Sequence, residues 1–308
     1  MLYQTKLRNF VSFLIVVVLS ITYLEAMENN NLVPDVCANI KKINSAALPE
    51  DYENLVSKIH NAGLTVEKCI KCIQQQRYEK VKTALKNQYK LSDEDLQQFE
   101  LAIKQVKKED KEYYTKNKSE ITISGEDMLE FSKSDLINEV RNKAAQLGVD
   151  INIEVEIISN YEYYPGSLSS YREKSKYNEK SSGYIAFQQQ FINDELQRKG
   201  MLSHELQHIK NYDMLIQQEL QKVIVEKNES INCDTSDWQK MRRWQETNAD
   251  RKSAVKNLRT ANDTKNCIDW VFSSTPEIPK GEYPTNLKRK LWIDRIVCLL
   301  KAEEKLTK

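Results

Sequence analysis

From Pro49 to about Lys111 apolar residues recur every three or four positions, the period of a helix with one buried face. Leu55, Val56 and Ile59 make the first such face, with Pro49 suited to a first turn and Gly63 to a stop. A second helix is predicted from about Thr65, carrying Val66, Cys69, Ile70 and Ile73 on one side. LSDEDLQQFELAIKQV predicts a third, capped by Ser92, with acids in its first turn where the helix dipole is positive. This helical region carries no chemical signature and reads as an accessory domain, a propeptide or packing for the remainder of the chain. KKEDKEYYTKNKSE, Lys107 to Glu120, is polar enough to mark its end, giving expected divisions at 27–118 and 119–308.

The pattern then changes. Ser134 is the expected cap of a helix with Leu136, Ile137, Val140, Ala144 and Leu147 at helical spacing, ended by Gly148. In INIEVEIIS, Ile151, Ile153, Val155 and Ile157 alternate with polar residues, which predicts a half-buried strand. A tyrosine-rich loop is expected over Tyr161 to Lys180, then a second strand at GYIAFQQQFI. Helices are predicted over Asn193–Asn211, Met214–Glu226, Asp237–Leu258 and Thr285–Lys305, the last with Leu287, Leu291, Ile296 and Leu299 as core contacts. Strands followed by helices indicate the α+β class.

Composition narrows the setting. The 308 residues hold 46 basic and 45 acidic side chains, a net charge of +1, so nothing suggests the phosphate attraction of a nucleic-acid binder. At the start, Lys6 and Arg8 precede an apolar run from Phe10 to Leu19 and a more polar stretch to Ala26, the layout of a signal peptide over residues 1–26. The apolar core is shorter than the roughly 20 residues a spanning helix needs, so no stable membrane span is expected after cleavage. A secreted or periplasmic protein is therefore expected. Its six cysteines, Cys37, Cys69, Cys72, Cys233, Cys267 and Cys298, then favour disulfides of undetermined connectivity. CIKC, Cys69 to Cys72, falls in a helical pattern without a second CxxC, which favours a structural role over redox or metal chemistry.

Two of the three histidines fall in HELQH, residues 204 to 208. Four residues apart on a helix, His204 and His208 present their imidazoles to one point. A catalytic zinc takes three protein ligands and keeps a position for water; Glu205, beside the first histidine, is the general base of the zincin pattern. Leu202, Leu206 and Ile209 give the same helix an apolar sector away from the histidines. The alternative is a surface helix with two solvated histidines. The remaining histidine, His60, lies in the featureless region and reads as an ordinary helix residue, so the third ligand is expected to be a carboxylate. RRWQETNADRKSAVK offers Glu246 as that ligand and Asp250, one turn on, as acceptor of a hydrogen bond from the outer nitrogen of a ligand histidine.

HELQH followed by ETNADRKSA resembles the gluzincin metallopeptidases, above all the family containing HtpX and the CAAX prenyl endopeptidases, over about Ile151 to Leu258. The resemblance implies a zincin-like catalytic domain, a small sheet plus an active-site helix and C-terminal helices, with one zinc ion per chain. It implies His204, His208 and Glu246 as ligands, Glu205 as base and Asp250 as partner of a ligand. GYIAF is similar to that family's edge strand, so Gly183, Tyr184, Ile185 and Ala186 are expected to bind an extended substrate by β-augmentation. Two features depart from the family: the best-known members span the membrane repeatedly, and no downstream histidine is present to stabilise an oxyanion. Arg251 or a tyrosine is left as the candidate for that role. The implied activity is zinc-dependent endopeptidase action on a peptide or protein. The competing expectations are a catalytically silent zinc-containing binding or structural protein, and a helical interaction protein in which HELQH is accidental.

Overall fold

A computed structural model describes residues 39–40, 48–125, 132–158, 167–172, 181–193, 195–227, 236–257 and 286–308. Three helices come first: α1 (Pro49–Asn61), α2 (Val66–Gln88) and α3 (Asp93–Lys116). Strand β1 (Ile121–Gly125), helix α4 (Lys133–Leu147) and strands β2 (Asn152–Ile158), β3 (Ser167–Arg172) and β4 (Ser182–Gln188) come next. The short α5 (Gln189–Ile192) leads into α6 (Glu195–Asn211), α7 (Asp213–Glu226), α8 (Ser236–Asn257) and α9 (Asn286–Thr307). The protein is mainly helical with one small sheet, compatible with the α+β class. Among the described residues no helix is long and apolar enough to cross a membrane. The expected signal segment, 1–26, lies outside the described residues, as do Cys37, Cys233 and Cys267.

The chain forms two compact units, residues 1–75 with 301–308, and residues 76–300. In the first, α1 buries Tyr52, Leu55, Val56 and Ile59. His60 Nε2 lies 3.1 Å from Glu303 Oε1, which also accepts from the Val66 amide at 2.8 Å. His60 thus has an ordinary charged partner.

The larger unit holds the sheet, ordered β1-β2-β4-β3, with β1, β2 and β4 parallel and β3 antiparallel at the end. Strand β2 alternates half-buried and buried residues as its pattern demands. Its Ile153, Val155 and Ile157 meet Ile185 and Phe187 of β4, Leu136, Val140, Ala144 and Leu147 of α4, and Leu202, Leu206 and Ile209 of α6 in one core. Helix α6 approaches β4 closely because residue 183 is glycine: a Cβ there would stand 2.8 Å from the Ile209 side chain. A second core joins Leu85, Phe99 and Ile103 of α2 and α3 to Leu220 and Ile224 of α7 and Trp238 and Met241 of α8.

Four expectations need correction. GYIAF is not an edge: β4 is hydrogen-bonded to β2 on one side and to β3 on the other. The end strands are β1 and β3: β3 lies inside the stretch expected to be a tyrosine-rich loop, and β1 occupies a segment for which no strand is expected. Lys107, expected to open the polar boundary of the helical region, lies inside it: α3 continues to Lys116 with Asp110 buried. The cap of α4 is Ser132, whose hydroxyl accepts from the Asp135 amide, so Ser134 lies within the first turn.

Candidate metal centre

The site is assembled by two helices of the larger unit. Helix α6 turns Met201, Leu202, Leu206 and Ile209 into the core, each at most 3% exposed. A residue four positions on returns to nearly the same face, so His204 and His208 share another sector. Their rings meet edge to face with centroids 4.6 Å apart and their Nε2 atoms 3.0 Å apart. Helix α8 packs against α6 and carries Glu246 to the same point. One Glu246 oxygen is 3.2 Å from His204 Nε2, the other 3.5 Å from His208 Nε2. Among the described residues His204, His208 and Glu246 form a group that could hold a metal ion, one donor atom of each lying within 4.8 Å of the others.

The outer ring nitrogens face carboxylates. Asp250, 5% exposed, lies with Oδ1 3.0 Å from His204 Nδ1. Asp213 does the same for His208: its Oδ2 is 2.7 Å from Nδ1. Since a carboxylate can only accept, the His208–Asp213 hydrogen bond puts a proton on His208 Nδ1 and turns its Nε2 to the centre, while Asp250 stands beside the outer nitrogen of His204 as an ion-pair partner. This is the arrangement that fixes ligand histidines in orientation and raises their basicity.

Asp213 was not anticipated as a site residue. In an unbroken helix a residue five positions on would stand about 140° around the axis from His208. It returns to the histidine only because Tyr212 breaks α6 from α7 with φ 61° and ψ 37°, a left-handed conformation. For a residue with a Cβ that conformation costs of order 1–3 kcal/mol. The break between the two helices is visible in the sequence, but nothing in Asn-Tyr-Asp says where the aspartate points.

These contacts set the charge state. Burial alone favours neutral imidazole, yet Asp250 and Glu246 outweigh it and raise the His204 pKa to about 9. His208 is also raised well above its ordinary value, burial being overcome by Glu246 and Asp213. Burial would raise Glu246, but the two imidazoles hold it well below the usual carboxylate range. Without metal the surrounding carboxylates thus favour a proton on the histidine pair and keep Glu246 ionised, and a metal ion must displace that proton to enter.

Stability should accordingly depend on pH. A histidine raised in the folded state stabilises the fold fully below its unfolded value near 6.5, and that contribution is lost as pH rises through about 9. The metal-free protein is expected to melt progressively lower between those limits, while the rise in melting temperature produced by metal grows over the same window. Melts at several pH values with and without metal check this; a metal-free melting temperature independent of pH would contradict it.

Glu205 lies on α6 beside His204, 5% exposed. Of the expected substrate residues, Gly183, Ile185 and Ala186 are buried and the Tyr184 hydroxyl donates to Glu156. Their position within the sheet removes them as an exposed edge. The side chain of Arg251 lies outside the described residues.

No protein-family model matches this chain, and no significant match to it is found among curated proteins or solved structures. What the centre offers is its own chemistry: two imidazoles and a carboxylate converging, each imidazole with an acid beside its outer nitrogen, a donor set that could hold a metal ion.

Proposed function

We propose that the protein is a zinc-dependent endopeptidase. The observation that carries this reading is the convergence of His204 Nε2, His208 Nε2 and Glu246 on one point, with Glu205 next to the first histidine on the same helix. Asp250 and Asp213 fit the group to a metal by holding each histidine with its inner nitrogen available. Zinc, held by His204, His208 and Glu246, would supply Lewis acidity toward a water and a scissile carbonyl.

The chain's own residues do the rest. Glu205 takes the proton from the attacking water and returns it to the leaving amine nitrogen, so the peptide C–N bond breaks as the new C–O bond forms. An extended substrate needs an unpaired strand, and β3 offers one: among the described residues it pairs with β4 alone and packs beside α6. Backbone pairing of this kind binds a peptide internally and favours cleavage within a chain over trimming of its ends. Export by way of the amino-terminal segment 1–26, into a compartment that permits disulfides, is the proposed setting.

Elemental analysis and a peptide-library digest test the proposal together. The purified full-length protein is expected to hold one zinc per chain and to cleave internal bonds, losing that activity with a chelator and regaining it when zinc is restored. Stoichiometric zinc without cleavage would leave a metal-stabilised binding protein, and absence of metal would remove the centre altogether.

A further inference from the structure

Tyr212 is held in its left-handed conformation by groups from α3. Its hydroxyl donates to Asp110 Oδ2 at 2.9 Å, and burial and the Asp110 carboxylate raise its pKa, so it remains a donor. Asp110 is 6% exposed and accepts also from the Ser181 hydroxyl, while the Ser181 carbonyl accepts from Tyr114. Lys107, one turn before Asp110, places its ammonium 5.0 Å from the Tyr212 ring centroid and 3.5 Å from the carbonyl oxygen of Asn211. The tyrosine is thus gripped at its hydroxyl, on its ring and through the preceding carbonyl. From the opposite side, Gln245 of α8 donates to the Asp213 carbonyl at 2.8 Å.

We propose that Asp110 and Lys107 of α3 are positioning residues for the metal centre, acting through Tyr212. The inference rests on the metal-binding reading of His204, His208 and Glu246. Tyr212 can relax toward an ordinary helical φ only by rotating the backbone that carries Asp213, and the next helix with it. Such a rotation withdraws the Asp213 carboxylate from His208 Nδ1 and frees the imidazole to turn. Holding the tyrosine therefore holds the inner nitrogen of His208 on the centre. The segment whose polarity marks it as a boundary is then part of the site's frame.

The test uses the full-length protein, with zinc affinity measured by chelator competition and thermal melts recorded with and without zinc. Tyr212→Phe keeps the ring and removes the hydroxyl; it is expected to weaken zinc about ten-fold, the lower end of what loss of a ligand's partner costs. The rise in melting temperature on adding zinc should shrink accordingly, and the Co2+-substituted protein should show an altered ligand-field spectrum. Asp213→Asn should weaken zinc at least as much, and adding Tyr212→Phe to it should produce little further loss, because both act on His208. If Tyr212→Phe lowers the two melting temperatures equally and leaves affinity and spectrum unchanged, the tyrosine is merely structural and the proposal fails. Should that variant not fold, Lys107→Met is read in the same way, a weakened zinc site supporting the proposal and an unchanged one overturning it. A wild-type protein that takes up no zinc overturns the metal reading and this inference together; a wild type that binds zinc no better than Tyr212→Phe overturns the inference alone.

Discussion

Exchanging Glu205 for Gln is expected to lower peptide hydrolysis by about 10²- to 10⁴-fold, the usual worth of a positioned general base, and to leave zinc bound. The amide has the shape of the carboxylate but cannot take the proton from water. Glu205 is outside the donor group formed by His204, His208 and Glu246, so metal content should remain that of the wild type. The side chain is 5% exposed, and an isosteric exchange avoids the cavity that Ala would leave there. Turnover of a cleaved peptide and zinc stoichiometry, measured on one preparation, read the two consequences separately. Undiminished turnover would sink the assignment of Glu205, and a binding protein would be indifferent to the exchange.

Glu246→Ala is expected to act on the other half of the reading by removing zinc. Loss of a group one step away from a metal costs 10- to 100-fold in affinity; loss of a charged donor should exceed about 100-fold. The effect extends to the metal-free protein, because Glu246 is among the groups that raise the pKa of His204 and His208 against burial. Without it both histidines should titrate lower, and the fall in metal-free melting temperature expected between pH 6.5 and about 9 should move to lower pH. Titration of both proteins with zinc, together with imidazole NMR shifts of the metal-free forms, gives the measurement. A Glu246→Ala protein that still holds one zinc tightly would show that the third donor lies elsewhere.

What was legible in the sequence is what short-range geometry controls. The four-residue spacing in HELQH places two imidazoles on one face of any helix, and the same spacing sets Glu246 and Asp250 together on α8. Alternation in INIEVEIIS identifies β2, and the side of α6 bearing Leu202, Leu206 and Ile209 is the side that reaches the core. Gly148 ends α4 in the left-handed conformation its position suggests. Each of these comes from the period of one element and its immediate neighbours.

Strand pairing is a different kind of fact. Nothing within GYIAF distinguishes an interior strand from an edge; that depends on β3, whose sequence SLSSYR lacks a clear apolar alternation and reads as loop. Asp110 falls in a stretch polar enough to look like a boundary, yet partners at the α6–α7 break and at the start of β4 satisfy it in the interior. Asp213 reaches His208 only through a backbone conformation that tyrosine rarely adopts and that α3 maintains. By itself the sequence determined the helices, the central strand and the candidate ligands, since those rest on periodicity within one element. The tertiary structure alone decided that β4 is interior to the sheet, where the second buried carboxylate stands and that α3 grips the break between α6 and α7, because each depends on contacts between residues far apart along the chain.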